Sequence, residues 1–242
     1  MGRRPPRGGR WGGGGGAFLG VPPPLQLWPD WSSLTADLRT GIGEQRQIVL
    51  GAVVVDLNTR TSINVRRADT GEVAALELVT GEAQVRLPSG LPLPFVVTAG
   101  AGEVTASGAA RFNVRATGPS VCVTCLEGAI ELRRADRILV ARAAQQITYS
   151  GSQEALMTVA DPAIVTAWRE RMLIFNDEPL TAVVDEINRY RPGRIIVTNA
   201  ELGRRRVQAQ VRLDQLAEVV ELIRVGYGAK VTTLPAGIVL LS

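Results

Sequence analysis

The chain has 242 residues, 45% of them hydrophobic, which suits one or two domains with a sizeable buried core and excludes disorder throughout. Its net charge of +4 is no nucleic-acid footprint, because Arg3, Arg4, Arg7 and Arg10 carry the whole excess of 27 basic over 23 acidic side chains and leave a neutral, aromatic-poor body. The absence of histidine removes the usual general base, the Ser-His-Asp and Cys-His arrangements and the commonest metal ligand together.

Residues 1–30, with the Gly12 to Gly16 run and Pro22-Pro23-Pro24, have linker composition and predict a disordered Gly/Pro/Arg-rich tail. The apolar stretch Ala17-Phe18-Leu19-Gly20-Val21 is far short of the roughly 20 residues a spanning helix needs, so no direct membrane span is expected.

From Asp37 to about Val159, short runs alternate apolar with polar residues between Gly, Pro, Asn and Ser, the period of half-buried strands. Val53-Val54-Val55 with Leu57, Ala75 to Leu78, Phe95-Val96-Val97, Phe112-Asn113-Val114, Val121-Cys122-Val123 and Ala129 to Leu132 are the clearest. Leu78 to Ala83 and Cys125 to Ala129 look like weak internal copies, each a strand entering a Gly turn. Such recurrence suits a β-solenoid or stacked meander, with a sandwich also open. Residues 31–165 are therefore expected to form an all-β domain.

Residues 166–242 change character. Leu180, Val183, Val184, Ile187 and Tyr190 recur at helical spacing after Pro179, with Asn176 or Asp177 as the expected cap. Strand-like Leu173-Ile174-Phe175 precedes that helix and Ile195-Ile196-Val197 follows it. A second such unit runs from Val207–Val211 through a helix capped by Asp214, carrying Leu216, Val219, Val220 and Ile223, to Lys230-Val231-Thr232, and Ile238 to Leu241 closes the chain. The fold class is thus mostly β plus α+β, ending in a small β-α-β/β-α-β domain.

The chemical motifs are weak. Cys122 and Cys125 make a C-x-x-C, but their odd separation on a strand points them to opposite faces and no second ligand pair exists, so they read as small buried hydrophobes. A disulfide is the alternative if the strand bends at Thr124. Asp69-Thr70-Gly71 matches the aspartic-protease triplet in flexible surroundings with no second copy, and reads as a turn. Gly41 and Gly43 lack the rest of a nucleotide loop. Asp37, Arg39, Glu44 and Arg46 form a charge cluster best read as a solvated or ion-paired strand edge. No catalytic residue, cofactor or metal is expected.

Ala36-Asp37-Leu38-Arg39-Thr40, Gly43-Glu44-Gln45-Arg46, Leu57-Asn58-Thr59 with Ser62, and Gly81-Glu82-Ala83-Gln84-Val85 come in the order of the FecR family. Pro94 to Val97, Arg111-Phe112-Asn113-Val114, Glu127-Gly128 and Trp168 follow. Phe175 to Leu180, including Pro179, and Glu186-Ile187-Asn188-Arg189-Tyr190 complete the match. The chain resembles that family over roughly residues 31–242. The resemblance implies an inner-membrane-associated, periplasmic regulator of iron uptake that contacts the signalling domain of a TonB-dependent outer-membrane receptor and acts on an extracytoplasmic-function sigma factor. It also implies a C-terminal part similar to secretin and TonB short N-terminal domains. Its motif residues, Asp37, Arg39, Thr40, Gly43, Glu44, Asn58, Gly81, Glu82, Phe112, Gly128, Pro179, Leu180, Asn188, Arg189 and Tyr190, are expected to be structural or to form an interface.

Against the family pattern, no counterpart of the sigma-binding domain is expected in residues 1–242, and residues 1–30 are expected to be a degenerate or truncated membrane-anchor region. The first hairpin has Gly51-Ala52-Val53 in place of an Asp-Gly-Ser turn. Two other classes of function remain: an envelope scaffold or polysaccharide binder built on a solenoid, and a hydrolase using Asp37 and Glu44.

Overall fold

A computed structural model describes residues 36–242 except 70, 92, 93 and 152. The expected tail at residues 1–30 lies outside the described residues.

The first part is strand after strand. In chain order these are β1 (Leu38–Arg39), β2 (Arg46–Leu50), β3 (Val53–Leu57), β4 (Ser62–Arg67), β5 (Val73–Leu87), β6 (Val96–Ala99) and β7 (Gly102–Thr105). Then come β8 (Ala110–Ala116), β9 (Ser120–Glu127), β10 (Ala129–Arg134), β11 (Arg137–Arg142), β12 (Gln145–Ser150) and β13 (Leu156–Val159). All six stretches singled out by alternation fall in or against strands.

Strand β5 organises them, because it belongs to two sheets at once. Its first half pairs with β4 and β6, and its second half with β3 and β8. The switch falls at Gly81, whose φ is +100° and whose missing Cβ would lie 2.4 Å from Thr61 Cα. Only glycine tolerates both the left-handed backbone and that approach. The Gly turn expected between Leu78 and Ala83 is therefore a bend inside one continuous strand. The other expected copy does turn, since Gly128 stands between β9 and β10 at φ +74°.

Among the described pairings of this sheet only β5 with β6 is parallel. A solenoid stacks parallel rungs, so of the two expected arrangements the meander is the one observed: a curled antiparallel sheet with one parallel insertion. Alternation then sorts the side chains. On β8 and β9, Phe112, Val114, Val121, Val123 and Cys125 enter the core with Val55, Val85, Ile130 and Ile147, each large aliphatic or aromatic side chain contributing roughly 1.5–3 kcal/mol by leaving water. Asn113, Arg115, Cys122 and Thr124 take the other face.

The C-terminal part starts with a short α1 (Pro162–Thr166), capped by Asp161, and a 3-10 turn, Ala167–Glu170. It continues through β14 (Met172–Pro179), α2 (Leu180–Asn188), β15 (Arg194–Val197), α3 (Ala200–Arg204), β16 (Arg206–Arg212), α4 (Val219–Tyr227), β17 (Val231–Leu234) and β18 (Ile238–Leu241). Helix α2 buries Leu180, Val183, Val184 and Ile187, the stripe read from the sequence, and α4 buries Val219 and Ile223. These helices and the strand faces make a second apolar core, distinct from the first.

Three local expectations are corrected. The residue capping α2 is Pro179 itself, with no side-chain bond, while Asn176 and Asp177 form a bulge in β14 with Asp177 at φ 57°. Asp214 sits in a 3-10 turn, Leu213–Gln215, and does not cap α4. Neither β-α-β segment keeps its strands side by side: β14 pairs with β16, antiparallel, while β15 pairs with β18, parallel, and β17 flanks β18. The helix α3, capped by Asn199, lacked a periodic stripe long enough to be read in advance.

Candidate functional site

The polar face of the first part is covered by the C-terminal part, and polar groups meet there out of water. Glu82, one residue after the bend in β5, is 4% exposed. It accepts hydrogen bonds from Asn58 Nδ2 at 2.9 Å, Asn113 Nδ2 at 3.0 Å and Arg189 Nη1 at 3.0 Å. Arg189, at the end of α2, also reaches Glu186 Oε1 at 2.7 Å, and Arg115 of β8 pairs with the other oxygen of Glu186. Two carboxylates and two guanidiniums thus neutralise one another across the join, the condition under which buried charge is tolerated.

Hydrogen bonds frame this quartet. Asn58 Nδ2 donates to Tyr190 Oη at 2.6 Å, Thr59 Oγ1 donates to Arg189 O at 3.1 Å and accepts from Gly43 N at 2.8 Å. Gln45 Nε2 donates to Trp168 O at 2.6 Å, and Arg169 pairs with Asp56 at 3.0 Å.

Electrostatics follow the geometry. Burial pushes the Glu82 carboxyl up, but Arg189, Arg115 and the amides of Asn113 and Asn58 outweigh it and hold the group below the usual carboxylate range. Burial disfavours the charged form of Arg189, yet Glu186 and Glu82 raise its affinity for the proton still further. The Tyr190 hydroxyl is pushed up, by burial first and then by Glu82. Glu82 and Arg189 are therefore each held in the charged form by their partners, so the arrangement is a tie and not a poised acid or base.

Of the residues marked in the sequence, Asn58, Gly81, Glu82, Arg189 and Tyr190 converge here, with Thr40 and Gly43 bracing the Asn58–Thr61 loop. Others serve elsewhere. Asp37 accepts from Val65 N at 2.8 Å and Glu44 from Gly41 N at 2.7 Å, both on exposed loops. Arg39 lies in β1 opposite Ser62. Phe112 is fully buried in the first core, Leu180 in the second, and Pro179 starts α2. Asn188 locks the end of α2 to β15 by two 2.8 Å bonds with Ile195. Asp69 and Gly71 occupy a turn closed by Gly71 N to Ala68 O at 2.8 Å. Cys122 is half-buried and Cys125 buried, on opposite faces of β9, and both are free. Arg115, Glu186 and Asn113 were missed as site residues. Their signal was available, as polar residues alternating with core positions.

Beside the joint, between the β8–β9 face and the strand β14 with α2, lies an open cleft of about 530 Å³. No cluster able to hold a metal ion occurs among the described residues.

A family model described as FecR protein matches residues 36–131. The matched stretch is thus similar to a FecR domain. It ends within β10, so the quartet joins the matched stretch, through Glu82 and Arg115, to residues beyond it. Two crystal structures of a "putative anti-sigma factor" from Parabacteroides distasonis ATCC 8503 share the fold. One has a TM-score of 0.72 at 22% identity over 85% of this chain and 97% of that one, the other 0.70 at 22% over 84% and 96%. The shared fold therefore includes the part that follows the matched stretch. No curated protein matched the sequence.

Proposed function

We propose that this chain is a signalling module without catalytic activity, relaying by protein contact a signal from a TonB-dependent outer-membrane receptor towards an extracytoplasmic-function sigma factor. The FecR match at residues 36–131 carries this reading, and a signalling or regulatory role is what that family supports. The anti-sigma description of the structures sharing its fold points the same way. In this reading the protein works in the periplasm in association with the inner membrane, and the C-terminal part acts as a secretin/TonB short N-terminal-like contact domain. No helix among the described residues is long and apolar enough to cross a membrane.

The geometry supplies a way to relay. A partner that binds one arrangement of the joined parts more tightly than another shifts their balance, and a tie of buried charges makes intermediate arrangements costly. The hydrolase reading loses its pair, since Asp37 and Glu44 are both exposed and each is occupied with a backbone amide. The scaffold reading loses the solenoid on which it rested.

The test is a pull-down of the purified chain with the plug-side signalling domains of the TonB-dependent receptors of the same genome. Capture of at least one is expected, and retention of none would overturn the proposal.

A further inference from the structure

The cleft beside the joint has two unlike walls. From β8 and β9 it is lined by Asn113, Arg115, Ser120, Cys122 and Thr124, alternate residues that mark the face of a sheet. From β14 it is lined by Met172, Leu173, Ile174 and Phe175 in succession. Consecutive side chains of a strand point opposite ways, so a wall touched by four in a row is the strand's edge. Strand β14 has one partner, β16, and no residue of β16 lines the cleft. The edge of β14 turned to the cleft is thus unpaired among the described residues, over about 13 Å of strand at roughly 3.3 Å per residue.

Around this edge stand the apolar side chains of Ile164, Val165 and Phe175, and Glu178, a lining carboxylate that makes no ion pair among the described residues.

We propose that this cleft receives an extended peptide segment of a partner protein, apolar with a basic side chain near Glu178, whose backbone adds to β14 as a third strand. Strand addition gives the free backbone groups of this edge their partners, and Glu178 selects a basic side chain beside it. The proposal rests on the signalling reading and names its contact site.

The probe is a fluorescein-labelled hexapeptide alternating valine and lysine, titrated by anisotropy against the full chain. Two control peptides accompany it: one N-methylated at alternate backbone amides, one with glutamate for lysine. Saturable binding is expected, falling at least tenfold on N-methylation and at least tenfold for the glutamate peptide. Glu178→Lys, checked for folding by circular dichroism, should reverse the charge preference. Lack of saturable binding, equal binding of the N-methylated peptide, or indifference to Glu178→Lys would overturn the proposal. If a receptor domain is still captured in the pull-down, only the cleft assignment falls; if neither binds, the signalling reading falls as well.

Discussion

At the scale of single residues, Glu82 decides most. Glu82→Gln keeps the shape but leaves Arg189 one carboxylate short in a buried setting, and a loss of roughly 3 kcal/mol is expected by urea denaturation. The pH dependence has a definite sign. Because the folded carboxyl is held below its usual range, its contribution is complete above the ordinary carboxylate value, about 4, and is lost as pH falls through the lower folded value. The wild-type urea midpoint should therefore drop on acidification below about pH 4, and the Gln variant should show a flatter acid limb. Equal acid limbs would locate the sensitivity in other carboxylates. That Asn58, Glu82, Arg189 and Tyr190 matter was legible in the sequence, as letters of a family motif. Their meeting was not, because Glu82 and Arg189 stand 107 residues apart and no periodicity spans such a gap.

At the scale of elements, alternation and helical spacing located eleven of the eighteen described strands and both long helices, since those patterns record which face is buried. Pairing was less legible. Leu173–Phe175 and Ile195–Val197 flank one helix and look like neighbours, yet they pair with β16 and β18 in different sheets, partners that lie beyond the reach of any local pattern. The Gly81 bend was misread for a related reason: a glycine in a strand pattern signals a turn, a bulge or a close approach, and only the tertiary contact with Thr61 selects the last. The consequence is testable. Gly81→Ala places a Cβ 2.4 Å from backbone and demands a left-handed conformation, so a destabilisation of at least about 3 kcal/mol, or failure to fold, is expected. Gly51→Ala has open space around it and should cost roughly 1 kcal/mol from its backbone alone. Comparable thermal midpoints for the two variants would show that the bend can relax.

At the scale of the molecule, the described residues hold two apolar cores in one compact unit. If the charged quartet provides the coupling, scanning calorimetry should give one transition for the wild type and two for Arg189→Ala, which removes the guanidinium that Glu82 and Glu186 share. A single transition in the variant would assign the coupling to the neighbouring bonds from Gln45 and Arg169 instead. The shared strand has a further consequence for how the chain is made. Strand β5 needs β3 and β4, which precede it, and β6 and β8, which follow. A ribosome releasing the chain from its N-terminus gives the first half of β5 both its partners once Ala99 has emerged, but the second half waits for β8 and Ala116. Until then Ala83, Val85 and Leu87 lack one flanking strand, which makes this stretch the natural handhold for a chaperone during synthesis.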